Sequence, residues 1–283
     1  MAGTGSSAKR ERGRRALRVI RWVFRGCLAI AVLAAVILTV ERVERFLIQD
    51  PRFTLAGPVE YGEESPNLHL SGVQWASRQA ILRVFQPDFG RSLYLLPLAD
   101  RRRALLRISW VRDASITRIW PNHVSVAIEE RRPAAFIRIP FGPMSRYALI
   151  DADGYVLEPP AKARFSLPLI SGVSTGEPLA LRSQRVHRMQ QFLRDIGPLA
   201  ADISEIDVSD LDNIQVNENA QGHTVQLLMG DRNFDSRMQT FLDEFPNIQR
   251  RLPEVAALDL RTDGHIIAVA PEAVPAHRPG GRQ

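Results

Sequence analysis

The feature that most constrains this chain is an uncharged apolar run close to its N-terminus. No charged residue occurs between Gly26 and Val40, and extending the run back to Trp22 gives 19 residues with Arg25 as the single charge. A helix that crosses a bilayer needs about 20 mainly apolar residues. An arginine one turn inside the boundary can extend its guanidinium to the headgroups. The sequence therefore predicts a transmembrane helix at residues 22–40.

The flanks of this run favour a permanent anchor over a cleaved signal peptide. A signal peptide starts with a short charged region and ends at a small-residue cleavage site ahead of polar sequence. Here a 21-residue basic tail precedes the run, and Glu41 to Arg45 continue the helical pattern after it. Because basic flanks stay in the cytoplasm, we expect a single-pass inner-membrane protein with residues 1–21 cytoplasmic and the bulk of the chain periplasmic.

The net charge of +6 at pH 7 is concentrated in the same tail. The first 25 residues hold eight of the 37 basic residues and one of the 31 acidic ones, so the rest of the chain has 29 basic and 30 acidic residues. A nucleic-acid-binding domain would need a clustered positive excess of its own. We therefore expect no nucleic-acid partner.

After a predicted linker at residues 41–67, the hydrophobic pattern predicts a small domain at 68–132. Its elements follow the order strand, helix, helix, strand, strand, and we expect them at Leu68–Leu70, Arg78–Phe85, Leu98–Ile108, Val111–Trp120 and Val124–Ile128. The helices have apolar residues three and four positions apart, and the last strand alternates apolar and polar residues. Two helices over a three-stranded sheet resemble a POTRA domain.

A second domain is predicted at residues 133–270, with short strands and two helices. The helices are expected at Ser183–Ile196 and at Asn233–Phe245, the second capped by Asn233 and ended by Pro246. The chain then forms a final strand pair at Ala256–Arg261 and His265–Val269. This pattern predicts an α+β fold with a mainly antiparallel sheet, followed by a disordered tail at 271–283.

Local signatures of catalysis, metal binding and cofactor binding are missing from the sequence. The six histidines include no pair three or four residues apart, and Cys27 is the single cysteine. Asp151 to Gly154 is expected to form a turn, since it lacks the third ligand and distal glutamate of a calcium loop. We expect no metal, cofactor or small-molecule substrate and no enzymatic activity. A catalytic carboxylate pair needs no local signature, so a membrane-anchored envelope enzyme is one alternative. A POTRA-type polypeptide-binding module is another.

A set of motifs occurs in a fixed order along the chain. They are Gly90 to Leu98 (GRSLYLLPL), Ser109 to Ile116 (SWVRDASI), Arg118 to Asn122 (RIWPN), Glu129 to Phe136 (EERRPAAF), Leu149 to Gly154 (LIDADG), Leu167 to Gly172 (LPLISG) and Leu258 to Val269 (LDLRTDGHIIAV). Taken together, these motifs resemble the FtsQ/DivIB family of bacterial division proteins.

The resemblance implies a non-enzymatic divisome scaffold at the division septum. Such a protein binds FtsB and FtsL through their periplasmic regions, and through them reaches FtsW and FtsI. In the family, the last strands receive a segment of FtsB by strand addition. Carried over by position, the turn region comprises Arg261, Thr262, Asp263 and Gly264, and the receiving strand comprises Ile266, Ile267, Ala268 and Val269.

Apart from the resemblance, the residues that follow Val269 also favour an edge position for the last predicted strand. An edge strand has unpaired N–H and C=O groups that a partner strand can complete. After Val269, Pro271 and Pro275 lack backbone donors, so the tail does not readily add another strand. Arg261 is a candidate for pairing with a partner carboxylate. Thr262 stands where the family usually has tyrosine, which removes an aromatic anchor.

Overall fold

The structure is a computed structural model that describes residues 6–58, 65–142, 144–161, 163–220 and 222–269. The predicted tail at 271–283 and part of the predicted linker therefore lie outside the described residues.

The chain begins with a single long helix, α1, at Ser6–Gln49. Within its segment Arg25–Gln49, an 18-residue window reaches a mean hydropathy of 2.1 and none of that window is buried, so the segment is long and apolar enough to cross a membrane. The helix extends further than the predicted span on both sides, into the basic tail and into the segment expected to be a linker. Phe46, Leu47 and Ile48 continue its apolar pattern past the charged residues, which explains the longer helix.

The chain divides into two compact units, and α1 belongs to the first of them. The N-terminal unit comprises residues 1–72, 78–105 and 114–128, and the C-terminal unit comprises residues 73–77, 106–113 and 129–283.

The small sheet has the strand order β1–β3–β2, in which β1 (Leu68–Ser71) runs parallel to β3 (His123–Glu130) and β2 is Val111–Ile119. Two helices, α2 at Arg78–Phe85 and α3 at Leu98–Leu105, come between the first two strands in sequence. The predicted βααββ order is therefore confirmed. Short 3₁₀ turns at Pro51–Phe53, Gln86–Asp88 and Leu93–Leu95 were not predicted.

Apolar residues from both helices and from the sheet form the core of the N-terminal unit. Ile81, Phe85, Leu105, Val124 and Val126 are each fully buried. Leu55, from the segment expected to be a linker, is also buried, and its N–H donates to the carbonyl of Arg91 at 3.0 Å. The chain between α1 and β1 is therefore partly packed into this unit.

A nine-stranded sheet forms the C-terminal unit, in the order β12–β11–β10–β9–β8–β7–β4–β5–β6. Its strands are β4 Pro133–Phe141, β5 Met144–Asp151, β6 Val156–Leu157, β7 Leu169–Ser171, β8 Ile203–Asp207, β9 Ile214–Ala220, β10 His223–Gly230, β11 Ala257–Asp259 and β12 Ile267–Val269. Five of the neighbouring pairs are antiparallel, and three, β4–β7, β7–β8 and β10–β11, are parallel. The α+β class with a mainly antiparallel sheet is thus confirmed.

Helices α4 (Leu179–Ile196) and α5 (Phe234–Arg251) supply the other half of this core. Phe192 and Phe234 meet edge to face with ring centroids 5.0 Å apart. The predicted end of α5 at Pro246 is wrong, because the helix continues to Arg251 with the proline inside it. Proline costs one backbone hydrogen bond there, and Phe245 and Ile248, packed in the core on either side of it, hold the helix together.

Candidate partner-binding edge of the large sheet

Strand β12 lies at the edge of the nine-stranded sheet and pairs antiparallel with β11. Ile267 is 51% exposed, and Ala268 is also exposed. Ile266 is half-buried and packs against the core. The residue before β12 therefore attaches the strand to the core, and within the part of the chain that the structure describes its first two residues are exposed.

The pairing of β11 with its other neighbour shows which backbone groups point out of this edge. The Leu260 N–H donates to the Leu228 carbonyl at 3.0 Å, and the Gln226 N–H donates to the Ala256 carbonyl at 2.9 Å. The backbone groups of Leu258 must then face β10, since alternate residues point to alternate sides. Ala268 lies opposite Leu258. Its N–H and C=O consequently point away from the sheet, where an added strand would lie.

The turn between β11 and β12 is held by a buried arginine on α5. Arg237 is 5% exposed and donates to the Met229 carbonyl at 2.7 Å and to the Arg261 carbonyl at 2.7 Å. The same guanidinium donates twice to Asp263 Oδ1, at 2.9 and 2.8 Å. One side chain thus connects the end of β10, the start of the turn and its acidic residue.

Asn233 and Gly230 complete this arrangement. The Asn233 amide does not cap α5 as predicted: the residue has φ +54°, makes no side-chain cap and donates to Asp263 Oδ2 at 2.9 Å. Gly230 has φ +71°, and a Cβ there would lie 2.9 Å from the Arg237 guanidinium. Hydrogen bonds from Arg237, together with that from Asn233, hold the pKa of the Asp263 carboxyl below its usual value.

The predicted site residues come together at this corner of the sheet, although their contacts differ in part from the expectation. Arg261 binds Asp259 within the chain, with Nη2 2.6 Å from Oδ2, and this hydrogen bond lowers the pKa of the Asp259 carboxyl. A partner carboxylate would compete with that pair. Thr262 and Gly264 are exposed, and Val269 is half-buried.

Sequence reasoning missed Arg237, although a signal for it exists. The residue lies three positions after Phe234 and four before Phe241, on the apolar face of α5. An arginine on that face indicates a buried, hydrogen-bonded guanidinium, because an unpaired charge in a core is expensive. Its acceptors are carbonyls distant in sequence, so they were not identifiable.

The corner leaves little enclosed space beneath the turn. The gap beneath the turn, bordered by Arg237, Thr262 and His265, has a volume of about 20 Å³, which is near the minimum for one water molecule. Within the described ranges, no group of three or more His, Cys, Asp and Glu side chains could hold a metal ion.

A second buried charge lies at the other end of β10. Glu218 on β9 is 2% exposed and pairs with Val225 in register. Its Oε2 has no hydrogen-bond partner among the described residues. Burial, with a smaller contribution from the charge of Asp202, raises the pKa of Glu218 to about 7. The carboxyl lies in the core rather than in a cleft, so its position gives no support to the dispersed-carboxylate enzyme.

Two comparisons with known proteins bear on the whole arrangement. Residues 66–131 match the POTRA domain of the FtsQ type, and residues 142–261 match the C-terminal domain of cell division protein FtsQ/DivIB. The chain belongs to the FtsQ/DivIB family. The FtsQ-type match ends at Arg261, so most of the candidate edge lies beyond it.

Curated FtsQ relatives agree with this assignment. Cell division protein FtsQ of Koribacter versatilis is 32% identical over 212 residues, covering 72% of this chain and 60% of the relative. FtsQ of Coxiella burnetii is 30% identical over 160 residues, covering 56% of this chain and 60% of the relative. The matched part thus spans about 60% of the length of these relatives. The chain is therefore an FtsQ-family cell division protein whose N-terminal apolar helix fits a single-pass inner-membrane protein.

Proposed function

We propose that this chain is a non-enzymatic scaffold of the divisome. Its anchor at residues 22–40 places the basic tail in the cytoplasm and the two folded units in the periplasm, at the division septum. There it binds the periplasmic regions of FtsB and FtsL and, through them, brings FtsW and FtsI into the assembly. The support for the scaffold comes from the family assignment together with the open edge at β12.

The single observation that carries the mechanism is the outward direction of the Ala268 N–H and C=O at an edge strand. A partner segment in extended conformation can bind these groups as a further strand. The exposed Ile267 side chain gives it an apolar contact. Because Arg237 holds the turn, the receiving strand is ordered before binding, which lowers the entropic cost of association.

The test is a titration of the full chain, in nanodiscs, with the purified FtsB–FtsL periplasmic complex. Ala268→Pro removes the outward donor but no hydrogen bond that the described residues make with one another, so we expect Kd to rise at least about tenfold. Ala268→Ser is the matched control, since it keeps the N–H, and its Kd should stay within about twofold of wild type. Circular dichroism and thermal melting of both variants report whether the fold is kept.

Two further variants locate the site. Truncation after Asp263 removes the receiving strand and should abolish binding, whereas Arg261→Glu should weaken binding by placing a negative charge where a partner carboxylate is expected. Unchanged affinity of the truncated chain would place the FtsB–FtsL site elsewhere on the molecule. Unchanged affinity of Arg261→Glu alone would remove only that contact.

A further inference from the structure

A group of large apolar side chains is exposed where the C-terminal end of α1 meets the rest of the N-terminal unit. This group, the juxtamembrane patch, comprises Phe46 (50% exposed), Tyr94 (39%), Leu95 (44%), Ile119 (50%) and Trp120 (49%). Trp120 directly follows the end of β2, and about half of its surface is open. Contiguous exposed apolar patches, unlike single exposed residues, mark interaction sites.

Ring contacts and a hydrogen bond fix this patch to the end of α1. The Phe46 and Phe53 rings meet edge to face at 5.6 Å, and Phe53 meets Trp120 in the same way at 5.7 Å. On the side of the patch that carries Tyr94, the Ser92 hydroxyl donates to the Leu47 carbonyl at 2.6 Å. The patch therefore has a defined height along the helix axis.

That height can be compared with the dimensions of a bilayer. If the hydrocarbon core begins near Trp22, about 20 helical residues cross it, so the apolar core ends near Glu41. Phe46 is five residues further along, or about 8 Å at 1.5 Å per residue. The headgroup layer on each side is about 5–8 Å thick. The patch consequently lies level with the outer part of that layer.

The chemistry of the patch also matches the interface. Tryptophan and tyrosine concentrate at the headgroup level, because their rings are apolar and their N–H or O–H groups remain hydrated. The nearby charges balance: Arg45 pairs with Glu41 at 3.2 Å, and Arg52 pairs with Asp50 at 2.7 Å. Ring insertion rather than charge attraction would then hold the surface, so anionic lipid is not needed.

We propose that the juxtamembrane patch is seated in the bilayer interface and holds the N-terminal unit against the membrane surface. This inference rests on the proposed membrane anchor at residues 22–40. Its partner is the zwitterionic lipid surface itself. The N-terminal unit is thereby fixed close to the periplasmic surface of the membrane.

The experiment uses the full chain in phosphatidylcholine nanodiscs, with an environment-sensitive NBD fluorophore attached to one cysteine at a time. The native thiol Cys27 reports the span. In a Cys27→Ser background, Ile119→Cys reports the patch. Ala127→Cys is the control, because Ala127 is exposed on β3 in the same unit, four residues beyond His123 and thus about 13 Å further along the strand. Quenching by lipids with a nitroxide near the headgroup is measured for each.

We expect strong quenching at Cys27, and quenching at position 119 at least twofold greater than at position 127. Adding Trp120→Ser to the Ile119→Cys chain should reduce quenching to the level of the control, with an unchanged melting temperature showing that the fold is kept. Quenching at Cys27 with equal, weak quenching at 119 and 127 would mean that the patch faces solvent or awaits a protein partner, and would overturn the inference while leaving the anchor. Absent quenching at Cys27 would overturn both.

Discussion

A buried ionisable side chain lies beside each end of strand β10, and the two side chains differ in the hydrogen-bond partners that surround them. At one end, Arg237 finds two carbonyls and a carboxylate, so its guanidinium is satisfied and ties the β11–β12 turn to α5. At the other end, Glu218 is just as buried, but one of its oxygens has no partner among the described residues. The contrast teaches that a buried charge stabilises a corner of the sheet only where acceptors or donors converge on it.

The largest effect is expected from removing the satisfied charge. Arg237→Ala leaves the Met229 and Arg261 carbonyls without their donor, and should lower the free energy of unfolding by about 4 kcal/mol, since each lost partner costs about 1–3 kcal/mol. Arg250→Ala is the control on the same helix, because Arg250 is exposed, and its effect should stay below about 0.5 kcal/mol. Denaturant unfolding of both variants measures the difference. Equal effects would show that the network contributes nothing.

The unsatisfied charge should make stability depend on pH. The pKa of Glu218 is about 7 in the folded chain and 4.5 without the protein environment, so the folded state holds its proton more tightly. The stability it contributes is therefore complete below pH 4.5 and is lost as the pH rises to about 7. At pH 8, Glu218→Gln should be more stable than wild type by about 3 kcal/mol, and the difference should vanish near pH 4.5. A carboxyl NMR titration of Glu218 with a midpoint near 4.5 would contradict this.

A smaller effect tests how closely the Arg237 corner is packed. Gly230 and Gly264 have similar positive φ angles, +71° and +75°. A Cβ at Gly230 would press on the Arg237 guanidinium, whereas a Cβ at Gly264 would meet open space. We expect Gly264→Ala to cost about 1 kcal/mol from backbone strain alone, and Gly230→Ala to cost about 2 kcal/mol. If thermal or denaturant unfolding gives the same loss in the free energy of unfolding for both variants, the Arg237 guanidinium moves aside without a measurable cost.

Features that depend on neighbouring residues were predictable from the sequence. The apolar run of α1, the phase of α4 and α5, and the alternation in β3 are short-range patterns, because the periods of a helix and a strand repeat within a few residues. For the same reason, the predicted positions of the last two strands and of the turn between them agree with the structure, although β11 and β12 are both shorter than expected. The end of α5 was misjudged where packing of Ile248 outweighed the local cost of Pro246.

The sequence by itself determined the likeness to a family, the order of elements and the position of the last turn along the chain. Only the tertiary structure decided that β11 runs parallel to β10 and that the N–H of Ala268 therefore points outward. It also decided that backbone carbonyls accept the hydrogen bonds of the Arg237 guanidinium, whereas one carboxylate oxygen of Glu218 has no partner among the described residues. The exposure of Trp120 beside Phe53 is a tertiary property as well. The physical reason is that these properties arise from strand order and from contacts between residues far apart in the chain. Neither hydrophobic periodicity nor local propensity specifies which distant residues come into contact.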